Sequence, residues 1–168
     1  DLNKINPNFV YEPDQLGDAI KIRTTSNVGS FQLEKTDRIA LLGVMEDRGN
    51  PNSMGASMSP NVFRNYFYKL YKGVGFEHIV DLGNIKQGES LSDTYFALSA
   101  AISGLIKAGV IPIIIGGTKD LTYANFLAYD QLEQTVNHTA IDSAFNIGDS
   151  SQPINAKNYL SKIVLHQP

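Results

Sequence analysis

Two short polar clusters hold the side chains with most to offer chemically. The first is Thr118-Lys119-Asp120, directly after an apolar run that ends in Gly116-Gly117. The second is Asp142-Ser143-Ala144-Phe145-Asn146, directly after the run 136–141. Lys119 brings an ammonium with three donors, no acceptor and a positive charge. Asp142 brings a carboxylate, Asn146 an amide oxygen without charge, and Ala144 nothing. Two readings are open for the ammonium and the carboxylate. In one, Lys119 pairs with a partly buried Asp142, which lowers the aspartate pKa and makes loss of either partner costly. In the other, Lys119 points to solvent and Asp142 caps its own loop. A third cluster, Asp47, Arg48 and Asn50, lies in the polar, glycine-rich loop 45–56, and loops of that kind often carry function.

The elements that must position these groups alternate between strand and helix. The run 110–115 is apolar and β-branched, as a buried strand is. Residues 121–134 form a helix with Leu121, Ala124, Leu127, Ala128 and Leu132 on one stripe. The run 136–141 is a further strand, with Asp142 at its carboxyl end. Upstream, 38–44 is an aliphatic strand buried on both faces, and Ser59 caps a helix with Pro60 at its first position. A short strand follows at 78–83. The longest helix begins at a Ser90/Asp93 capping box, carries apolar residues at helical spacing from Leu91 to Ile106, and closes at Gly109. Residues 1–37 are an irregular lead-in, with a short helix and a short edge strand at 19–24. The chain closes with a loop at 148–153, a short helix at 156–160 and a last strand at 162–166. Such alternation gives a parallel three-layer α/β/α sheet with right-handed crossovers, in a single domain over 1–168. Ligands of open α/β sheets bind beyond the carboxyl ends of the strands, where all three clusters open.

The chain resembles the ureohydrolase family of arginases, agmatinases and formimidoylglutamases. The resemblance covers about residues 38–146. It rests on Gly116-Gly117, on Asp142, on Asp47-x-Gly49 with Gly55-Ala56, Pro60 and Arg64, and on Asp81-Leu82-Gly83. It implies an arginase-like fold and, in the family, two manganese ions that generate a hydroxide to attack a guanidino or formimino carbon. The family's ligand blocks are Gly-Gly-x-His and Asp-x-His-x-Asp. Matched position by position, Lys119 and Ala144 stand where histidines should, Asn146 where an aspartate should, and Asp142 is the one retained ligand type. The resemblance therefore implies a degenerate metal site, no catalytic residue, no expected cofactor, and a binding or assembly role. The alternative is an active manganese-dependent formimidoylglutamase- or arginase-type hydrolase using other ligands. Asp47, Arg48 and Asn50 match the family's substrate-side loop. Family members run to about twice this length, so the chain reads as an N-terminal portion, incomplete as a sheet. A homo-oligomer or a complementary C-terminal half is then expected, with the small-molecule ligand unspecified.

Composition narrows the rest. A chain of 168 residues, 42% hydrophobic, has room for one real core. A net charge of -3 gives no reason to expect nucleic acid or an anionic membrane as partner. The absence of cysteine excludes disulfide scaffolding and thiolate zinc sites. No apolar stretch is long enough to span a bilayer and no signal peptide is visible, so a cytoplasmic protein is expected. Gly116-Gly117 lacks the spacing of a phosphate loop. His78 and His138 read as structural residues, and no serine, histidine and acid show triad spacing. The aromatic cluster Tyr66, Phe67, Tyr68 and Tyr71 reads as helix packing.

Overall fold

The computed structural model describes residues 10–23, 32–74 and 76–166. Four strands form one sheet in the order β1-β3-β2-β4, every neighbouring pair parallel: β1 Lys21–Ile22, β2 Ile39–Val44, β3 Ile79–Ile85 and β4 Ile111–Ile115. The helices are α1 Leu16–Ala19, α2 Ser59–Phe67, α3 Leu91–Lys107, α4 Leu121–Asp130 and α5 Tyr159–Val164. β2 lies at the centre of the core. Its Leu42 and Val44 pack with Tyr95, Leu98 and Ile102 of α3 and Leu121, Ala124 and Ala128 of α4. On the opposite face its Leu41 packs with Leu16, Ile20 and Tyr68 beside α1 and α2. An aliphatic strand covered on both sides is what a parallel sheet demands, because crossover helices occupy both faces.

The local signals for the long elements hold. Ser90 Oγ accepts from the Asp93 N–H at 3.3 Å and the Asp93 carboxylate accepts from the Ser90 N–H at 2.8 Å, so α3 opens on a reciprocal capping box. Gly109, at φ 74°, follows the end of α3. At α2 the detail differs. The helix begins at Ser59 itself, and the Ser59 hydroxyl donates back to the Ala56 carbonyl at 2.6 Å. A 3-10 turn over Ala56–Met58 already feeds the chain into the helix, so no side-chain cap is made.

Three expectations fail. The strand at 136–141 is not formed: 135–147 make no ladder with any strand and no backbone–backbone hydrogen bond among the described residues. An apolar run becomes a strand only beside a partner strand, and this one pairs with neither the free edge of β4 nor any other strand, which leaves Ile141 fully exposed. The strand expected at 162–166 is not formed: Lys162 to Val164 are the last turn of α5, and the helix expected at 156–160 begins at Tyr159. Its Tyr159 and Ser161 are buried, and His166 beyond it meets Asp130 and the rings of Tyr123 and Phe126 on α4. A short apolar run does not separate strand from buried helix by period alone. Of the edge strand expected at 19–24, Lys21–Ile22 form β1 while Ala19 belongs to α1; Thr24 lies outside the described residues. The helix at 121–134 stops at Asp130 and finishes in turns.

β4 is the free edge. The Ile111 N–H donates to the Arg38 carbonyl at 2.8 Å. Alternation then points the backbone of Ile113 and Ile115 toward β2 and that of Pro112 and Ile114 outward. Pro112, which has no N–H, sits where no ladder bond is lost. Ile111 is 63% and Ile113 41% exposed.

Candidate functional site

The site lies at the carboxyl ends of β2 and β4, where three stretches of chain meet. Gly116 and Gly117 turn the chain out of β4 with φ of 83° and 74°, values open to glycine at little cost. A Cβ on Gly117 would lie 2.3 Å from Leu121 Cδ1 and 2.7 Å from the Glu46 carbonyl, so the second glycine also admits close approach of the neighbouring loop. That loop, 45–56, is bonded here: the Thr118 N–H donates to the Glu46 carbonyl at 3.1 Å and the Gly117 N–H to the Ala56 carbonyl at 3.3 Å. Gly49 lies against the buried Asp120 carboxylate, which takes a hydrogen bond from the Tyr95 hydroxyl at 2.6 Å.

Lys119 and Asp142 meet. The ammonium lies 3.2 and 2.9 Å from the two carboxylate oxygens. Asn146 donates its amide to Asp142 Oδ2 at 2.7 Å, and the Ala144 N–H reaches Oδ1 at 3.3 Å. Lys119 first, then Asn146, hold the Asp142 carboxyl down at about 2. The pair is more open than expected: the side chains are 37% and 20% exposed. The expected burial is absent because 135–147 pack on no strand. As donors for a divalent cation these residues fit poorly. The ammonium brings charge of the wrong sign, Ala144 brings a methyl group, and Asn146 turns its NH₂ toward the carboxylate. Among the described residues, no group of three or more histidine, cysteine or acidic side chains is placed to hold a metal.

The loop residues Asp47, Arg48 and Asn50 are brought to the same rim, but each is bonded within the protein. Arg48 grips Glu46 with Nε at 2.9 Å and Nη2 at 2.6 Å, and donates to the carbonyls of Gly88 and Glu89 at 3.1 and 3.0 Å. Asp47 Oδ2 accepts from Ser57 Oγ at 2.8 Å and from the Gly55 N–H at 2.9 Å, which lower its pKa. Asn50 accepts from the Asn52 N–H at 3.2 Å and donates to Ser53 at 2.8 Å. These contacts shape the loop rather than present open donors.

Two buried carboxylates go beyond what the sequence indicates. Glu46 is fully buried and also takes Thr94 Oγ1 at 2.8 Å. Burial pushes its pKa up, and Arg48 with Thr94 outweighs that and holds it low. Asp81 receives Arg64 in a two-pronged pair at 2.7 and 2.8 Å, both side chains wholly buried, with the Tyr68 hydroxyl at 2.8 Å and the Gly83 N–H at 2.9 Å. Burial first, then the Asp81 charge, raise the Tyr68 pKa well above its ordinary range. Arg64 and Asp81 stand in separate motifs of the sequence. The available signal for joining them is that a charged residue in an aliphatic strand needs a counter-charge from the element packed on it.

The sequence matches the model of the arginase family over residues 37–156. The chain belongs to that family. A formimidoylglutamase of Staphylococcus epidermidis is 30% identical over 127 residues, covering 70% of this chain and 41% of that protein. One of Ralstonia nicotianae is 34% identical over 92 residues, 52% of this chain and 28% of the other. Among solved structures, the formiminoglutamase of Trypanosoma cruzi with manganese superposes at a TM-score of 0.73 and 20% identity, over 90% of this chain and 52% of that one. The agmatine ureohydrolase of Thermoplasma volcanium gives 0.63 at 16% identity, over 92% and 51%. The chain thus spans about half the length of these structures, and its four-stranded sheet is an arginase-like fold in part.

Proposed function

We propose that this member of the arginase family holds no manganese pair, does not hydrolyse C–N bonds, and works through binding or assembly. The Lys119–Asp142 pair carries the reading. A fixed ammonium rests on the carboxylate that the family resemblance makes a metal ligand, and supplies in cis the positive charge a metal would bring. Repulsion between the ammonium and an incoming cation, and the lack of a donor at Ala144, both oppose metal binding. Lys119, Asp142, Ala144 and Asn146 are on this reading a degenerate metal site, and Asp47, Arg48 and Asn50 a substrate-side loop now serving structure.

The partner would be whatever completes the sheet: a complementary chain carrying the rest of the fold, or a second copy. The bare edge of β4 and the unpaired run 136–141 support this, since unpaired strand groups invite another strand. A cytoplasmic location fits the lack of cysteine, and no helix among the described residues is long and apolar enough to cross a membrane. The rival reading is an active hydrolase of the formimidoylglutamase type, favoured by the identity of its relatives. Elemental analysis after a manganese soak separates the two. The expected result is well below one ion per chain, and two tightly held ions per chain would overturn the proposal.

A further inference from the structure

At the mouth of β4 lies a cleft of about 410 Å³ lined by Pro112, Ile114, Gly117, Thr118, Lys119 and Thr122 among others. Among the described residues, Lys119 is the one ionisable side chain in its wall. Thr118 is 6% exposed and its hydroxyl has no hydrogen-bond partner. The group on Lys119 is a carboxylate delivered by the loop 135–147, and it engages the ammonium with both oxygens. Beyond this pair, the described hydrogen bonds and ion pairs of that loop are all local, running between Asp142, Ser143, Ala144 and Asn146. Its large apolar side chains Ile141, Phe145 and Ile147 stand in solvent. Docking of α5 against α4 already fixes the two ends of the loop, through the Gln134 N–H on the Tyr129 carbonyl and Ser161 Oγ on the Gly148 carbonyl. The ion pair therefore has only the middle of the loop to hold.

We propose that this cleft is a binding site for a small carboxylate, with Lys119 as its counter-ion, and that Asp142 is a tethered competitor for the ammonium which the ligand displaces. The loop is then a strap, closed when Asp142 sits on Lys119 and open when a free carboxylate replaces it. Nothing else in the described bonding resists the opening. The cleft wall supplies a mixed surface for the rest of the ligand, apolar at Pro112 and Ile114 and polar at Thr122 and Asn125. A tethered competitor acts at an effective concentration in the millimolar range or above, so it hides a weak site from a free ligand. The inference rests on the metal-free reading of this rim.

Acetate is the probe, followed by backbone amide chemical shifts across the chain in chelator-treated protein, with chloride at equal ionic strength as control. The Asp142→Ala variant should show saturable acetate shifts confined to 116–125. The wild type should respond about tenfold more weakly, because its own carboxylate competes. The Asp142→Ala/Lys119→Met variant should show none. Asp142→Asn, which keeps the side-chain shape, should behave as Asp142→Ala. If Asp142→Ala responds no better than the wild type, or no differently from the double variant, the site does not exist. Elemental analysis of untreated protein after a manganese soak keeps the two readings apart. Bound manganese overturns the proposed function, whereas metal-free protein indifferent to acetate overturns only this inference.

Discussion

Replacing Arg64 by methionine tests the buried pair that joins α2 to β3. In the wild type the Asp81 carboxylate is met by the Arg64 fork, the Tyr68 hydroxyl and the Gly83 N–H, with no access to water. The thioether side chain would fill most of the volume and leave the carboxylate with two neutral donors. Removing one partner of a wholly buried ion pair costs about 3–5 kcal/mol, against a total stability of about 5–15 kcal/mol for an ordinary domain. At a urea slope of about 2 kcal/mol per molar, the midpoint should fall by about 2 M. The Arg64→Met/Asp81→Asn variant should recover part of the loss, since a neutral amide in place of the carboxylate still bonds Tyr68 and Gly83. Urea unfolding followed by circular dichroism and by tyrosine fluorescence reads both values and checks that the transitions coincide. A loss under about 1 kcal/mol for Arg64→Met, the range of a solvent-exposed pair, would refute the argument. So would a double variant no more stable than the single one.

The other expectations concern the rim and the edge. The Lys119→His/Ala144→His/Asn146→Asp variant should release no urea or formamide from arginine, agmatine or formiminoglutamate with manganese present; measurable turnover would show ligands outside the mapped positions. The Asp142 side chain should titrate at about 2 by carbon NMR. Its pairing with Lys119 is then fully present above the ordinary carboxylate value of about 3.9 and lost as pH falls through about 2. A midpoint at or above the ordinary value would mean that the pair is not formed in solution. Light scattering should show self-association that Ile113→Lys reduces, because a charge on a free strand edge opposes pairing; a monomer at all concentrations would contradict the open edge.

The readable parts of the sequence are those in which neighbours in sequence determine the outcome. The box at Ser90 and Asp93, the stripe of α3 and the aliphatic run of β2 need no knowledge of distant residues. The glycine pair at 116–117 and the Lys119–Asp142 contact are also legible, through the family pattern and the charge argument. The run 136–141 departs from expectation because strand pattern is only half of a strand. The other half is a partner, and sequence does not say whether one arrives. The 162–166 run fails because a short apolar run, Ile163-Val164-Leu165, fits a helix as well as a strand. Arg48 departs for a different reason. Nothing in sequence places a buried Glu46 within its reach, and that carboxylate is what turns the guanidinium inward.

Pro112 has a consequence for polymerisation. An incoming strand finds carbonyls at Pro112 and Ile114 and amide hydrogens at Ile114 and Gly116, with a missing donor at Pro112. Among the described residues the opposite margin of the sheet is β1, two residues long. A chain that pairs on β4 therefore meets an interrupted ladder. Growth into a fibre needs two long, uninterrupted margins that repeat. The β4 margin is broken by an imino acid, so a strand added there does not find the continuous ladder that fibre growth needs.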